Sequence, residues 1–253
     1  MIQLLKGDCL ELMPKYIEDK SIDMILCDLP YGTTACKWDT IIPFEPLWKE
    51  YKRIIKDNGA IVLTASQPFT SKLVMSNIKM FKYEWIWEKS RPTGIAQSKY
   101  QPMKKHENIL VFSKGKTFFN PIKEKRQYKG TKSNRKVWAT WNTSSEHGLG
   151  KTNKKIISEE RNPTTILPFA SLSPFPKGSI VHPTQKPVAL FEYLIKTYTN
   201  KGDLVLDNCA GSGTTGVACE NLGRNYILIE KEQKYVDIAK KRIKEAQRQT
   251  KLF

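Results

Sequence analysis

Two short segments carry the residue types and spacing from which chemistry can be read. The first is Asp28-Leu29-Pro30-Tyr31, which follows the apolar run Ile22–Cys27. A carboxylate at the end of a buried strand is costly unless it has a partner or a task. An amine on an aromatic ring is a poor nucleophile, because its lone pair is delocalised into the ring. The Asp28 carboxylate and the Leu29 carbonyl could accept its two N–H bonds and concentrate that lone pair on nitrogen. Pro30 would stiffen the turn and so fix where the Leu29 carbonyl points. Tyr31 would offer a stacking face, a contact worth roughly 1–3 kcal/mol per base.

The second segment is Asp207-Asn208-Cys209-Ala210-Gly211-Ser212-Gly213-Thr214-Thr215, ahead of Gly216. It lies between a strand pattern (Leu204–Leu206) and a helix pattern (Thr214–Leu222). Its glycines match G-x-G-x-x-G, and Glu230 closes the next strand about 20 residues on. Tight glycine turns and helix N-terminal amides suit an anion, and the acid suits ribose hydroxyls. By itself the loop fits a pyrophosphate cofactor of a nicotinamide enzyme as well as the carboxylate of S-adenosylmethionine. Position separates the two. After Glu230 only a basic helix, about Gln233–Gln247, remains. The other strands must therefore come from upstream, in a permuted order, which favours the methyltransferase.

The elements that must position these segments alternate in type. Ile2–Lys6, Ile22–Cys27 and Ala60–Ala65 read as strands, Pro46–Lys56 as a helix, and Tyr83–Trp87 with Ile109–Phe112 as an antiparallel pair. Val188–Thr199 reads as a helix with Pro187 at its first position. The pattern predicts a mostly parallel α/β sheet.

Charge marks a different region. The 253-residue chain carries a formal charge of +17. Between Lys114 and Lys186 fifteen Lys and Arg face only Glu124, Glu146, Glu159 and Glu160. This stretch has little periodicity and suits a polyanion partner. Within it Asn134, Arg135, Asn142 and Arg161 are candidates for reading base edges. Trp138 and Trp141 read better as a small core than as wedges. Five cysteines with no Cys-x-x-Cys pair predict free thiols in a reducing cytoplasm and no metal centre. No apolar run reaches the length of a membrane span, so no membrane partner is expected.

Taken in order, these residues resemble the β class of amino-methylating DNA methyltransferases. Asp28-Leu29-Pro30-Tyr31 comes first, the basic stretch next, then His182-Pro183-Thr184-Gln185-Lys186-Pro187, and the glycine loop last. Gly7-Asp8-Cys9-Leu10 is similar to the family's adenine-contacting segment. His106-Glu107-Asn108-Ile109-Leu110-Val111-Phe112 is similar to the strand that ends its catalytic half. The resemblance implies a permuted Rossmann-like fold: a seven-stranded, mostly parallel sheet with one antiparallel strand, plus an inserted basic DNA-recognition lobe. It divides the chain into a catalytic half (1–113), a target-recognition lobe (114–181) and a cofactor-binding half (182–253).

The resemblance also implies roles. Asp28, Leu29, Pro30 and Tyr31 would hold the target base. Gly211, Ser212, Gly213 and Thr214, with Asp207, would hold the methionine part of S-adenosylmethionine, and Glu230 its ribose. Asp8 and Cys9 would lie by its adenine, with Thr184, Gln185 and Lys186 completing the cofactor site. Asp at position 28 points to adenine N6, whereas the family uses Ser more often for cytosine N4. The absence of a Pro-Cys pair argues against carbon-5 methylation, which needs a thiolate nucleophile. The expected partners are DNA and a cognate restriction endonuclease, with the chain a monomer or a homodimer. Cytosine-N4 methylation, a nicotinamide oxidoreductase and a catalytically silent DNA-binding module are the alternatives. Two departures stand out. Leu29 replaces a common Pro, and Asn208-Cys209 replaces a common Pro-Phe.

Overall fold

The computed structural model describes residues 2–33, 36, 39–125, 160–172 and 185–250. The chain divides into two units, Met1–Asn120 with Thr164–Phe253, and Pro121–Pro163.

The larger unit holds one sheet. Its strands are β1 (Ile2–Lys6), β2 (Ile22–Cys27), β3 (Ile55–Ala65), β4 (Phe81–Thr93), β5 (Lys104–Phe112), β8 (Ile166–Phe169), β9 (Leu204–Asp207) and β10 (Asn225–Glu230), and two further strands, β6 and β7, belong to the smaller unit. The order across the sheet is β1-β10-β9-β2-β3-β5-β4-β8. Only β5 runs against its neighbours. Among the described residues the sheet has eight strands, not the expected seven. The extra one is β8, from a stretch that its basic surroundings had assigned to the recognition lobe. Leu167 is buried there, and the Trp87 indole N–H donates to the Phe169 carbonyl at 2.9 Å. Pro168 is tolerated because β8 is an edge strand.

The parallel strands are buried on both faces, so they read as continuous apolar runs rather than alternating ones. Along β2, Ile25 and Cys27 face one core layer, and Met24 and Leu26 the other. The first layer packs against α1 (Cys9–Tyr16), α2 (Phe44–Ile54) and α3 (Phe69–Ser76). The second packs against α4 (Val188–Tyr198), α5 (Thr214–Leu222) and α6 (Gln233–Thr250). Each part of the chain therefore supplies helices to one face. Two helices escaped the sequence reading. In α1 the Asp8 side chain caps the helix, accepting from the Leu10 amide at 2.9 Å. The eight-residue α3 is too short to display a period.

The C-terminal strands β9 and β10 lie between β1 and β2. Val205 pairs with Met24 and Leu206 with Ile25. The two segments singled out above therefore leave neighbouring parallel strands at the same edge, and the helices after them go to opposite faces. A crevice at such a switch point is where α/β sheets bind ligands.

In the smaller unit, β6 (Glu124–Lys125) pairs antiparallel with β7 (Glu160–Arg161), and the Arg161 guanidinium meets Glu124 at 3.0 Å. Asn134, Arg135, Trp138, Trp141 and Asn142 lie outside the described residues.

Candidate active site

A cleft of about 340 Å³ opens at this switch point, lined by Asp8, Cys9, Asp28, Leu29, Pro30, Tyr31, Gln185, Lys186, Asp207, Gly211, Ser212, Thr214 and Glu230. The residues expected from the two ends of the chain therefore share one cavity. Thr184, with His182 and Pro183, lies outside the described residues.

At one end of the cleft, Asp28 is tightly engaged. Its Oδ1 accepts from the Tyr31 hydroxyl at 2.8 Å and from the Thr64 hydroxyl of β3. Its Oδ2 accepts from the Lys186 ammonium at 2.7 Å. That ammonium is buried and also lies 3.4 Å from Glu107 Oε2, while Glu107 Oε1 meets Lys89 at 3.3 Å. Burial alone would drag Lys186 down, but Asp28 and Glu107 outweigh it and hold the ammonium above its ordinary range. Lys186 thus stays charged, inside an alternating chain of carboxylates and ammonium groups. Its side chain serves the Asp28 corner of the cleft rather than the glycine loop. The Tyr31 ring stacks on Phe69, with centroids 5.1 Å apart and planes inclined at 24°. Burial, then the Asp28 charge, raise the Tyr31 hydroxyl well above its usual range, so it remains a donor.

At the other end, the glycine loop turns into α5. Gly211 (φ +49°) and Gly213 (φ +76°) adopt left-handed backbone. A Cβ on Gly213 would meet the Ala239 Cβ of α6 at 2.7 Å, so only glycine fits there. Glu230 ties the loop to β10, accepting from the Gly211 amide at 2.8 Å and from the Glu232 amide at 2.8 Å. Burial raises its carboxyl, and these amides pull it back. Ser212 reaches Gln185 at 3.4 Å, which joins the segment before α4 to the loop. Asp207 faces inward, accepting from the Cys209 amide at 3.1 Å and from the Thr215 hydroxyl. It shapes the turn from beneath.

Several residues were not foreseen. Arg242 of α6 donates to the Ser212 carbonyl at 2.6 Å and the Ser212 hydroxyl at 2.8 Å, clamping the loop. Thr64, Phe69, Lys89 and Glu107 build the Asp28 corner. Each comes from an ordinary-looking strand or helix, and no local signal marks it. The Asn208 departure has an explanation: its side-chain carbonyl accepts from the buried Tyr51 hydroxyl at 2.6 Å.

The cleft suits S-adenosylmethionine. It offers a glycine turn into a helix N-terminus for the carboxylate, an acidic strand end for the ribose, and the aromatic rings of Phe191 and Tyr235 in its lining. Fold and site together define an S-adenosylmethionine-dependent methyltransferase. Residues 22–241 match the DNA methylase family. The chain is 32% identical to the Type II methyltransferase M.HinfI of Haemophilus influenzae, over 96% of this chain and 68% of that one. It is 29% identical to M.HpaI of Haemophilus parainfluenzae, over 90% of this chain and 70% of that one. The solved M1.HpyAVI–SAM complex matches with a TM-score of 0.63 and 28% identity, covering 96% of this chain and 99% of that one. The PvuII cytosine-N4-specific DNA methyltransferase matches in fold, with a TM-score of 0.67 at 17% identity, over 97% of this chain and 91% of that one. The chain belongs to the DNA methylase family: it is an amino-methylating DNA methyltransferase with S-adenosylmethionine as its cofactor. Among the described residues no helix is long and apolar enough to cross a membrane.

Proposed function

We propose that this enzyme methylates adenine N6 within a specific DNA sequence, as the modification partner of a Type II restriction endonuclease. The observation that carries the reading is the placing of Asp28 and the glycine loop in one cleft, on neighbouring strands β2 and β9. Asp rather than Ser at position 28 supports adenine. The restriction context is supported by relatives named Type II methyltransferases.

S-adenosylmethionine, when bound, supplies an electrophilic methyl group on sulfur. Gly211, Ser212, Gly213 and Thr214 hold its carboxylate end in this reading, Glu230 its ribose, and Asp8 and Cys9 its adenine. The extruded base stacks by Tyr31, and flipping it costs a few kcal/mol that such a platform recovers in part. Asp28 and the Leu29 carbonyl accept the N6 hydrogens, and the amine becomes acidic only as the methyl arrives, so no strong base is needed. Holding the reactants in line can remove up to roughly 7–11 kcal/mol of barrier.

Lys186 gives this scheme a condition. Its ammonium occupies one of the two acceptor positions of Asp28 Oδ2, so an incoming amine shares that oxygen with it or displaces it. Glu107 Oε2, 3.4 Å from that ammonium, is its second partner. In this reading Lys186 leans towards Glu107 as the base arrives and leaves more of Oδ2 to the amine. The basic stretch 114–181 supplies phosphate contacts and sequence reading, which makes affinity steeply salt-dependent.

Expression in a host without DNA methylation, followed by modification-sensitive sequencing, reports base and site together. N6-methyladenine at one recurrent sequence is the expected result. N4-methylcytosine there would favour the second reading, and unmodified DNA would reject both.

A further inference from the structure

Beyond the carboxyl end of β3, strands β4 and β5 continue together, with β8 still paired to β4 as far as Lys89. The register fixes this. Ala65, the last residue of β3, faces Asn108, and Asn108 faces Ile86. Past Lys89, where the β8 pairing ends, the segments Ser90–Thr93 and Lys104–Lys105 run on as a two-stranded ribbon. β2, β3 and β4 all point the same way, so the ribbon leaves from the edge that carries Asp28. It closes through Gly94, in left-handed backbone, and a single 3₁₀ turn at Ile95–Gln97.

Two properties mark the tip. Ile95 is 80% exposed and Tyr100 is 89% exposed. Between Glu88 and Glu107 there is no acidic residue, and although Lys105 pairs with Glu88 at 2.9 Å, Arg91 and Lys99 are exposed bases. Large apolar side chains held in water beside cations suit a partner with stacked planar faces and an anionic backbone. The root of the ribbon is joined to the reacting corner. Lys89 meets Glu107 at 3.3 Å, Glu107 lies 3.4 Å from Lys186, and Lys186 meets Asp28 at 2.7 Å. Lys104 also donates to Ser66, two residues after Thr64.

We propose that the β4–β5 ribbon is a duplex-contacting arm: Arg91 and Lys99 bind phosphates, and Tyr100 with Ile95 fills the gap in the stack that the target base leaves. This rests on the DNA-directed reading above and adds a surface outside the basic stretch. Drawing a base from the helix exposes the faces of its neighbours, and an inserted apolar side chain covers them. The arm thus acts on the duplex, not on the reacting atoms.

The test begins with the site sequence reported by the sequencing experiment above. Two duplexes carry that site, one fully paired and one with an abasic position opposite the target. Wild type and the double variant Ile95→Ser, Tyr100→Ala are compared in single-turnover transfer from labelled S-adenosylmethionine. Both side chains are exposed, so the variant keeps the melting temperature and cofactor affinity of wild type. On the paired duplex its rate falls roughly tenfold or more, and on the abasic duplex it stays within about threefold of wild type. An unchanged rate on the paired duplex overturns the arm, and so does an equal loss on both duplexes. In parallel, Arg91→Ala with Lys99→Ala lowers the salt slope of DNA binding by about two, and an unaltered slope removes these phosphate contacts. A wild-type enzyme that labels no DNA overturns the functional reading itself, a result distinct from any of these.

Discussion

The two ends of the cleft are built on opposite plans. The Asp28 corner gathers the Thr64 hydroxyl of β3 and charges from the end of β2, β4, β5 and the segment before α4, with Asp28, Lys186, Glu107 and Lys89 alternating in sign. The glycine-loop corner is one contiguous turn, shaped by backbone geometry and secured by Glu230 and Arg242. The first holds groups that must rearrange when a base enters. The second holds a shape that must stay the same through every turnover. Charged pairs in a poorly solvated pocket are strong but exchangeable, whereas a left-handed glycine turn packed on a helix has no second state nearby.

The largest effect should come from removing the reacting carboxylate. Asp28→Ala is expected to lower methyl transfer by roughly a thousandfold or more, with cofactor affinity nearly intact. Isothermal titration of the cofactor beside a radiolabelled transfer assay checks both halves. Normal turnover would remove Asp28 from the chemistry and undo the contrast between the two ends.

Next comes a pH effect at the loop end. Burial pushes the Asp207 carboxyl up to about 7, against the pull of the Thr215 hydroxyl and the Cys209 amide. In the unfolded chain an Asp titrates near 4 (about 3.9). Between about 4 and about 7 the folded protein therefore keeps a proton that the unfolded chain has released. Stability then falls as pH rises through that window, by up to about 1.4 kcal/mol per pH unit. Below it both states are protonated and the slope vanishes. Denaturant unfolding across the window measures the slope, and Asp207→Asn should flatten it. A slope of the opposite sign would mean that Asp207 is stabilised as the anion.

The contrast also explains what could be read from the chain. Asp28–Tyr31 and the glycine loop are contiguous, and their spacing alone shows what they can do. Thr64, Lys89, Glu107 and Arg242 are functional only through contacts between residues far apart in the chain. Glu107 lies in a strand pattern, and Arg242 is one of many bases on an amphipathic helix. Their roles appear only once the sheet order is known. The same holds for the fold. The mostly parallel sheet and its antiparallel strand followed from short apolar runs, but β8 was hidden because four residues in a basic, Pro-containing stretch carry no strand period. The helix α1 could have been found, since Asp8 followed by Glu11 is a capping pattern.

Two substitutions of about tenfold effect separate the corners. Glu107→Gln removes the negative charge of the second partner of Lys186 and so favours the ammonium on Asp28. The expected result is a kcat lower by roughly tenfold, equivalent to about 1.4 kcal/mol, with cofactor affinity unchanged. Combined with Lys186→Met it should cost nothing further, because the effect is carried through Lys186. Additive losses would indicate a structural role for Glu107. Arg242→Met, in contrast, releases the glycine loop from a charged hydrogen-bond clamp. It should weaken cofactor binding roughly tenfold while leaving the rate at saturating cofactor close to wild type. Single-turnover kinetics over a cofactor titration distinguish the two patterns. Exchange of the patterns between the variants would reverse the assignment of the two ends.

The smallest effect lies where the chain departs from its family. Tyr51 and Asn208 are 157 positions apart and meet at 2.6 Å beneath the turn, where the family resemblance leads one to expect Pro. Proline would stiffen the turn through its ring, and the Asn208 side chain achieves a similar restraint through a buried hydrogen bond. Tyr51→Phe keeps the ring and the packing but leaves the Asn208 carbonyl without its donor. The cost should be about 1–3 kcal/mol of stability, the penalty of one unsatisfied buried acceptor. Because Asn208 lines the cleft, the turn should also loosen and cofactor affinity should fall by a few fold. The double variant Tyr51→Phe, Asn208→Pro sharpens the point, since the ring restores the restraint and removes the orphaned acceptor together. Recovery of cofactor affinity in the double variant, measured by titration, would show that the bond serves to hold the turn. A double variant weaker than Tyr51→Phe would show instead that the Asn208 side chain contacts the cofactor directly.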